Sequence, residues 1–136
     1  MSVRYLLDTN AASYAINRKS AAMDRRFARI AMPDLGISAV TEAELRYGAA
    51  RSGSAPLQAT VDQFLLAVTS LPWDSDVAQG YGRLRAMLER EGRLMGSLDM
   101  MIAAHAIAVG LILVTGDRAF ARIKHLRTED WIRTGT

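Results

Sequence analysis

The chain has 136 residues, half of them apolar, with 17 basic and 14 acidic side chains for a net charge of +3, and no cysteine. That length suits one domain, residues 1–136, with a core able to fold without covalent staples; the missing thiols exclude disulfides, thiolate zinc sites and cysteine nucleophiles. The opening MSVRYLLDTN meets a charge at once, and the longest apolar stretch, Met100 to Val114, is interrupted by His105 and Gly110, so a soluble, cytoplasmic protein is expected.

The first run, Val3 to Leu7, is short and apolar and reads as a buried strand ending at Asp8-Thr9-Asn10. Asn10 to Arg18 reads as a helix, and Ala21 to Ala31 as a second, with Phe27, Ile30 and Ala31 on one face and Pro33 closing it. Leu35 to Val40 is a second strand, and Thr41 opens a helix to about Arg51. Pro56 suits the N-terminus of the next helix, which keeps apolar spacing to Val68. Ser70 to Trp73 is a third strand, Asp74 to Glu91 a long helix, and Ser97 to Val109 another, with Gly110 as its C-cap. Leu111 to Thr115 is a fourth strand, Asp117 to Lys124 a short helix, and the chain is extended again from Leu126.

Strands alternating with helices predict an α/β fold, a mainly parallel sheet covered on both faces. Ligands in such folds bind beyond the carboxyl ends of the strands. Acids stand at those ends here: Asp8 after the first strand, Glu42 and Glu44 after the second, Asp117 after the fourth. Each has a plain structural explanation. Asp8 and Asp117 sit at helix N-cap positions, Asp99 lies in a first helical turn, and Thr41-x-x-Glu44 has the spacing of a capping box. An acid at a helix start gains roughly 0.3–1 kcal/mol from the dipole alone. Parallel topology, however, brings strand ends to one edge, where converging carboxylates repel unless protonated or bound to a cation. A hard ion, Mg²⁺ or Mn²⁺, suits such an all-oxygen site. The net charge is a weak pointer to nucleic acid, but an acidic pocket among arginines such as Arg83, Arg85, Arg90 and Arg93 suits a metal centre on an anion-binding surface.

Four segments, in order, resemble one family. Tyr5-Leu6-Leu7-Asp8-Thr9-Asn10 is similar to its opening motif; Ile37-Ser38 with Ala43-Glu44-Leu45-Arg46-Tyr47-Gly48 to its second; Asp99-Met100-Met101-Ile102-Ala103-Ala104-His105-Ala106 to its third; and Leu113-Val114-Thr115-Gly116-Asp117 to its fourth. The closing Leu126-Arg127-Thr128-Glu129-Asp130-Trp131 also fits. The family is the PIN-domain ribonucleases, in particular the VapC toxins of bacterial toxin–antitoxin pairs. Gly116 departs from it, since relatives commonly carry asparagine there.

The resemblance implies a PIN-like three-layer α/β/α sandwich and assigns the acidic positions to Asp8, Glu44, Asp99 and Asp117, preferring Glu44 to its neighbour Glu42. Thr9, Asn10 and Thr115 match polar positions able to bond these carboxylates or waters around an ion. It implies hydrolysis of RNA with water as nucleophile, leaving a 3′-hydroxyl and a 5′-phosphate. The implied partners are an RNA, tRNA among the family's targets, a VapB-type antitoxin and a second copy of the chain. Arg46, Arg83 and Arg118 are candidates for phosphate contacts.

The remaining conspicuous side chains read as structural. His105 lies six residues beyond Asp99 on one helix, so it points elsewhere and reads as a packing or hydrogen-bonding histidine. His125, beside Lys124, reads as solvated. Met23, Met87, Met95, Met100 and Met101 read as core or partner-groove residues, and Trp73 and Trp131 as core. A dehalogenase-type phosphatase needs a second acid at position 10, where asparagine stands, and a receiver-type module needs paired acids after the first strand. A non-catalytic RNA-binding or interaction domain of the same fold is the standing alternative.

Overall fold

The computed structural model describes residues 3–133. Strand β1 (Tyr5–Leu7) leads into helices α1 (Thr9–Asn17) and α2 (Ala21–Ala28). Strand β2 (Leu35–Ser38) comes next, then α3 (Ala39–Ser52), α4 (Ala55–Ala67) and β3 (Thr69–Leu71). The chain continues through α5 (Ser75–Arg90), α6 (Ser97–Val109) and β4 (Ile112–Val114) to β5 (Thr128–Glu129). All the strands pair in parallel in the order β3-β2-β1-β4-β5. The chain builds outward from β1 to β3, then returns to the other side of β1 for β4. The switch point therefore falls between β1 and β4, the place where open α/β sheets bind ligands.

Side-chain alternation along the strands makes the layers. Leu6 and Leu113 face one cluster with Leu84, Leu88, Met100, Ile102 and Phe120. Tyr5, Leu7, Ile37 and Val114 face the opposite cluster with Ala11, Met23, Val61 and Trp131. Helices α5 and α6 cover the first face; α1, α2 and α4 cover the second, and α3 reaches both through Val40 and Leu45. This is the expected three-layer α/β/α sandwich. Burying each such side chain stabilises by roughly 1.5–3 kcal/mol.

Several boundaries differ from those expected along the sequence, each for a local reason. The Ser38 hydroxyl accepts the Val40 N–H at 3.1 Å and starts α3 at Ala39, so β2 stops at Ser38. Thr41 then lies inside the helix, fully buried, and the Thr41–Glu44 capping box does not form. Helix α2 ends at Ala28, and Met32–Asp34 with Pro33 make a separate 3-10 turn. Residues Arg118–Arg122 form a 3-10 helix in place of the α-helix expected to Lys124. Ser54 caps α4 ahead of Pro56, and Gly110 ends α6 at φ 72°, as its position predicted. The extended segment expected from Leu126 reaches β5 and then turns; beyond Arg133 it lies outside the described residues. No helix among the described residues is long and apolar enough to cross a membrane.

Candidate active site

β1 ends beneath Asp8, whose backbone N–H donates to the Val114 carbonyl at 3.0 Å, so its carboxylate sits at the β1–β4 switch point. The side chain caps α1, accepting the Ala11 N–H at 2.8 Å, and is 4% exposed. The candidate site residue is thus also a helix cap. Burial pushes the Asp8 carboxyl up to about 6; hydrogen bonds from the Thr115 hydroxyl and the Ala11 N–H oppose that rise, and repulsion from Asp99 and Asp117 adds to it. Asp99, in the first turn of α6, is also raised, by burial and then by Asp117 and Glu44. Four carboxylates from β1, α3, α6 and the loop after β4 therefore share one electrostatic neighbourhood. None of them forms an ion pair with a lysine, arginine or histidine among the described residues.

Threonines organise the cluster. Thr9 donates to Glu44 Oε1 at 2.6 Å, and its hydroxyl lies 3.3 Å from that of Thr41. Thr115, 5% exposed, bonds Asp8 and accepts the Asp117 N–H at 3.0 Å. Asp117 itself caps the 3-10 turn through Ala119 N–H at 2.9 Å and stays exposed. Asn10 is exposed on the rim of a groove of about 260 Å³ that also holds Thr9, Ser13, Glu44 and Gly48. Thr41, whose spacing alone marks it only as a helix cap, is a buried member of this network; its motif position, three before Glu44, was the available signal.

Glu42 leaves the site. It accepts from Ser70 Oγ and from Arg46 Nε, each at 2.7 Å, and those bonds hold its carboxyl below the usual range. Arg46 also lies 3.5 Å from Asp62, so this candidate phosphate contact is engaged in ion pairs. Arg118 is exposed beside Asp117 on a shallow pocket. Arg83 lines a groove between α5 and α6 together with Ala108 and His125. That groove reaches the C-terminal end of α6, whereas Asp99 lies at its N-terminal end.

The other residues behave as structure. His105 is 1% exposed, with Nδ1 2.8 Å from Ser38 Oγ; burial lowers its pKa against a weaker upward pull from Asp74. His125 is exposed. Trp131 is fully buried against Tyr5 and Phe27, and Trp73 donates to the Met101 carbonyl at 3.0 Å. Met23 and Met100 are core residues of the two opposite faces, with Met87, Met95 and Met101 packed against the Met100 cluster. At the point where the fourth motif departs from the family, a Cβ on Gly116 would meet Ile132 Cδ1 at 3.1 Å, so the C-terminal segment fills space that a side chain needs.

Among the described residues, no three acidic or histidine side chains are close enough to hold one ion by themselves. The donor set nevertheless fits a hard cation. It is all oxygen, it carries uncompensated negative charge, and Mg²⁺ commonly keeps several waters while taking only one or two carboxylates.

Comparison with known proteins shows the family. Residues 5–126 match the PIN domain family. The chain is 40% identical over 131 residues to the tRNA(fMet)-specific endonuclease VapC of Shigella flexneri, covering 95% of this chain and 98% of that protein. It is 39% identical over 132 residues to ribonuclease VapC2 of Haemophilus influenzae, covering 96% and 99%. Among solved structures, VapBC2 of Rickettsia felis bound to a DNA fragment from their promoter superposes with a TM-score of 0.87 at 34% identity, covering 95% of this chain and 99% of that one. DNA-bound VapBC of Salmonella typhimurium gives 0.87 at 36% identity, covering 95% and 98%. With a family match over residues 5–126 and relatives 39–40% identical over nearly its whole length, the chain belongs to the PIN-domain family and, within it, to the VapC ribonucleases.

Proposed function

We propose that this protein is a divalent-metal-dependent endoribonuclease whose working groups are Asp8, Glu44, Asp99 and Asp117, with RNA, tRNA in particular, as substrate and a VapB-type antitoxin as its restraint. The observation that carries the reading is the cluster of acids at the switch point with no cationic partner among the described residues. Asp8 and Asp99 would hold the ion, with Glu44 and Asp117 around it. A bound Mg²⁺ or Mn²⁺ supplies acidified water and offsets charge building on the phosphodiester. Thr9 keeps the Glu44 carboxylate oriented, and Thr115 does the same for Asp8 while holding the Asp117 backbone. Arg118, exposed beside Asp117, can approach a phosphate oxygen.

The same charge suits an antitoxin. A basic side chain set among the carboxylates would neutralise them by charge-assisted hydrogen bonds, in competition with the ion. A groove of about 320 Å³ lined by Ala15, Phe27 and Phe64 of α1, α2 and α4 offers the apolar part of such an interface. Exposed Leu66 (87%) and Tyr47 (65%) support a further apolar contact, and we propose a homodimer.

Cleavage of a tRNA pool by purified protein, with EDTA and then with Mg²⁺ or Mn²⁺ added back, tests the reading. Loss on chelation, recovery with either ion and no recovery in Asp99→Asn are expected. RNA binding without cleavage at any metal concentration would leave the non-catalytic RNA-binding domain. Light scattering that gives a monomer at high concentration would remove the dimer.

A further inference from the structure

Helix α6 carries Asp99 and α3 carries Glu44. Ala103, Ala104 and Ala106 of α6 are buried with Met100 and Ile102 in the cluster that also holds Val40 of α3, and apolar packing of this kind is non-directional. One directional contact joins α6 to the start of α3. His105 Nδ1 meets Ser38 Oγ at 2.8 Å, with Ser38 fully buried and His105 1% exposed. The same oxygen accepts the Val40 N–H at 3.1 Å as the cap of α3. A serine hydroxyl carries one hydrogen and two acceptor lone pairs, so Ser38 can cap α3 and bond the His105 ring at the same time.

We propose that His105, acting through Ser38, is a positioning residue that sets how α6 sits against the start of α3, and thereby fixes Asp99 relative to Glu44 and the site's hold on its divalent ion. The inference rests on the metal-nuclease function proposed for this site. Its leverage is geometric. His105 lies six residues beyond Asp99 and Ser38 six before Glu44, each about 9 Å along the chain axis at helical rise, so a small tilt at the bond displaces both carboxylates. These two repel each other, and with the anchor released they would move apart. Ser38 also ends β2 beside the end of β1, where Ile37 pairs with Leu7, so the anchor belongs to the sheet edge that holds Asp8.

Three substitutions in the full chain separate positioning from packing. His105→Asn keeps a polar atom able to bond Ser38 near the Nδ1 position, His105→Gln displaces it, and His105→Leu removes it. Mn²⁺ affinity is measured by calorimetry without RNA, beside the Mg²⁺ dependence of cleavage and the melting temperature. The Gln and Leu variants should bind Mn²⁺ about tenfold more weakly, the scale seen when groups supporting metal ligands are removed, and Asn should stay within about threefold of the parent. Ser38→Ala should weaken binding alike, and adding it to His105→Leu should cost nothing more. Should His105→Leu fail to fold, the Gln and Asn pair decides. Variants that melt lower but bind Mn²⁺ as the parent does would overturn the proposal. Failure of the metal-nuclease function shows separately, as an Asp99→Asn variant with unchanged cleavage and Mn²⁺ binding.

Discussion

The carboxyl edge of the sheet carries acids along its whole width, but its centre and its flanks treat them oppositely. On the β3 flank, Glu42 is neutralised by Arg46 and Ser70, each 2.7 Å away. On the β5 flank, Glu129 lies 3.3 Å from Arg26 and accepts Trp131 Nε1–H at 2.8 Å, while Arg26 stacks over the same indole with its guanidinium 5.1 Å from the ring centroid. At the centre, Asp8, Glu44, Asp99 and Asp117 have threonines and backbone N–H groups but no cation among the described residues. Position after a strand therefore does not distinguish a working acid from a structural one. Missing compensation is what singles out the central four as the proposed working acids, because charge left unpaired in a partly buried site is destabilising unless a ligand answers it.

The largest effects should fall at the centre. Asp8→Asn and Asp99→Asn are expected to lower cleavage by more than about 100-fold, since loss of groups that merely support ligands costs 10–100-fold. Glu42→Gln should stay within about threefold. Initial rates on one RNA at saturating Mg²⁺ measure both, and a Glu42 variant as inactive as the Asp99 variant would erase the distinction between centre and flank.

Stability should move the other way. The Asp8 carboxyl is raised from 3.8 to about 6 on folding, so between those values the native chain holds a proton that the unfolded chain releases. Its contribution is fully present below pH 3.8 and is lost as pH rises through about 6. Metal-free Asp8→Asn, in which asparagine still caps α1, should therefore be more stable than the parent at pH 7 by about 1–2 kcal/mol. Urea titrations at pH 7 and pH 4 test this, with the gain shrinking at the lower pH. Mg²⁺ should stabilise the parent and leave the variant unmoved.

Smaller effects belong to the flanks. Glu129→Gln leaves Arg26, whose side chain is 22% exposed, without its ionic partner, and should cost about 1 kcal/mol with cleavage unchanged in the folded protein. Arg46→Met removes an exposed pair and should cost under about 1 kcal/mol. A marked loss of activity in the second variant would show that Arg46 leaves Glu42 to hold RNA.

Much of this molecule was legible along the chain. Short apolar runs, Ser and Asp caps and the glycine after Val109 mark the elements to within a few residues, because they act through neighbours in sequence. That locality also explains the misreadings. Thr41-x-x-Glu44 has the spacing of a cap, yet Ser38 reaches the helix N–H first, and Thr9 from another helix claims the Glu44 carboxylate.

The sequence by itself determined the α/β alternation and the pool of acids at the strand ends, since periodicity and turn chemistry are local properties. Only the tertiary structure decided which acids meet. Glu42 and Glu44 lie two residues apart on one helix and so about 200° apart around it. Packing of α3 against α1 and α6 sets the helix phase, turning Glu44 toward Thr9 and Asp99 and Glu42 toward Ser70. The joining of Ser38 to His105, 67 residues apart, is likewise set by the close approach of two helices, which no pattern within either one records.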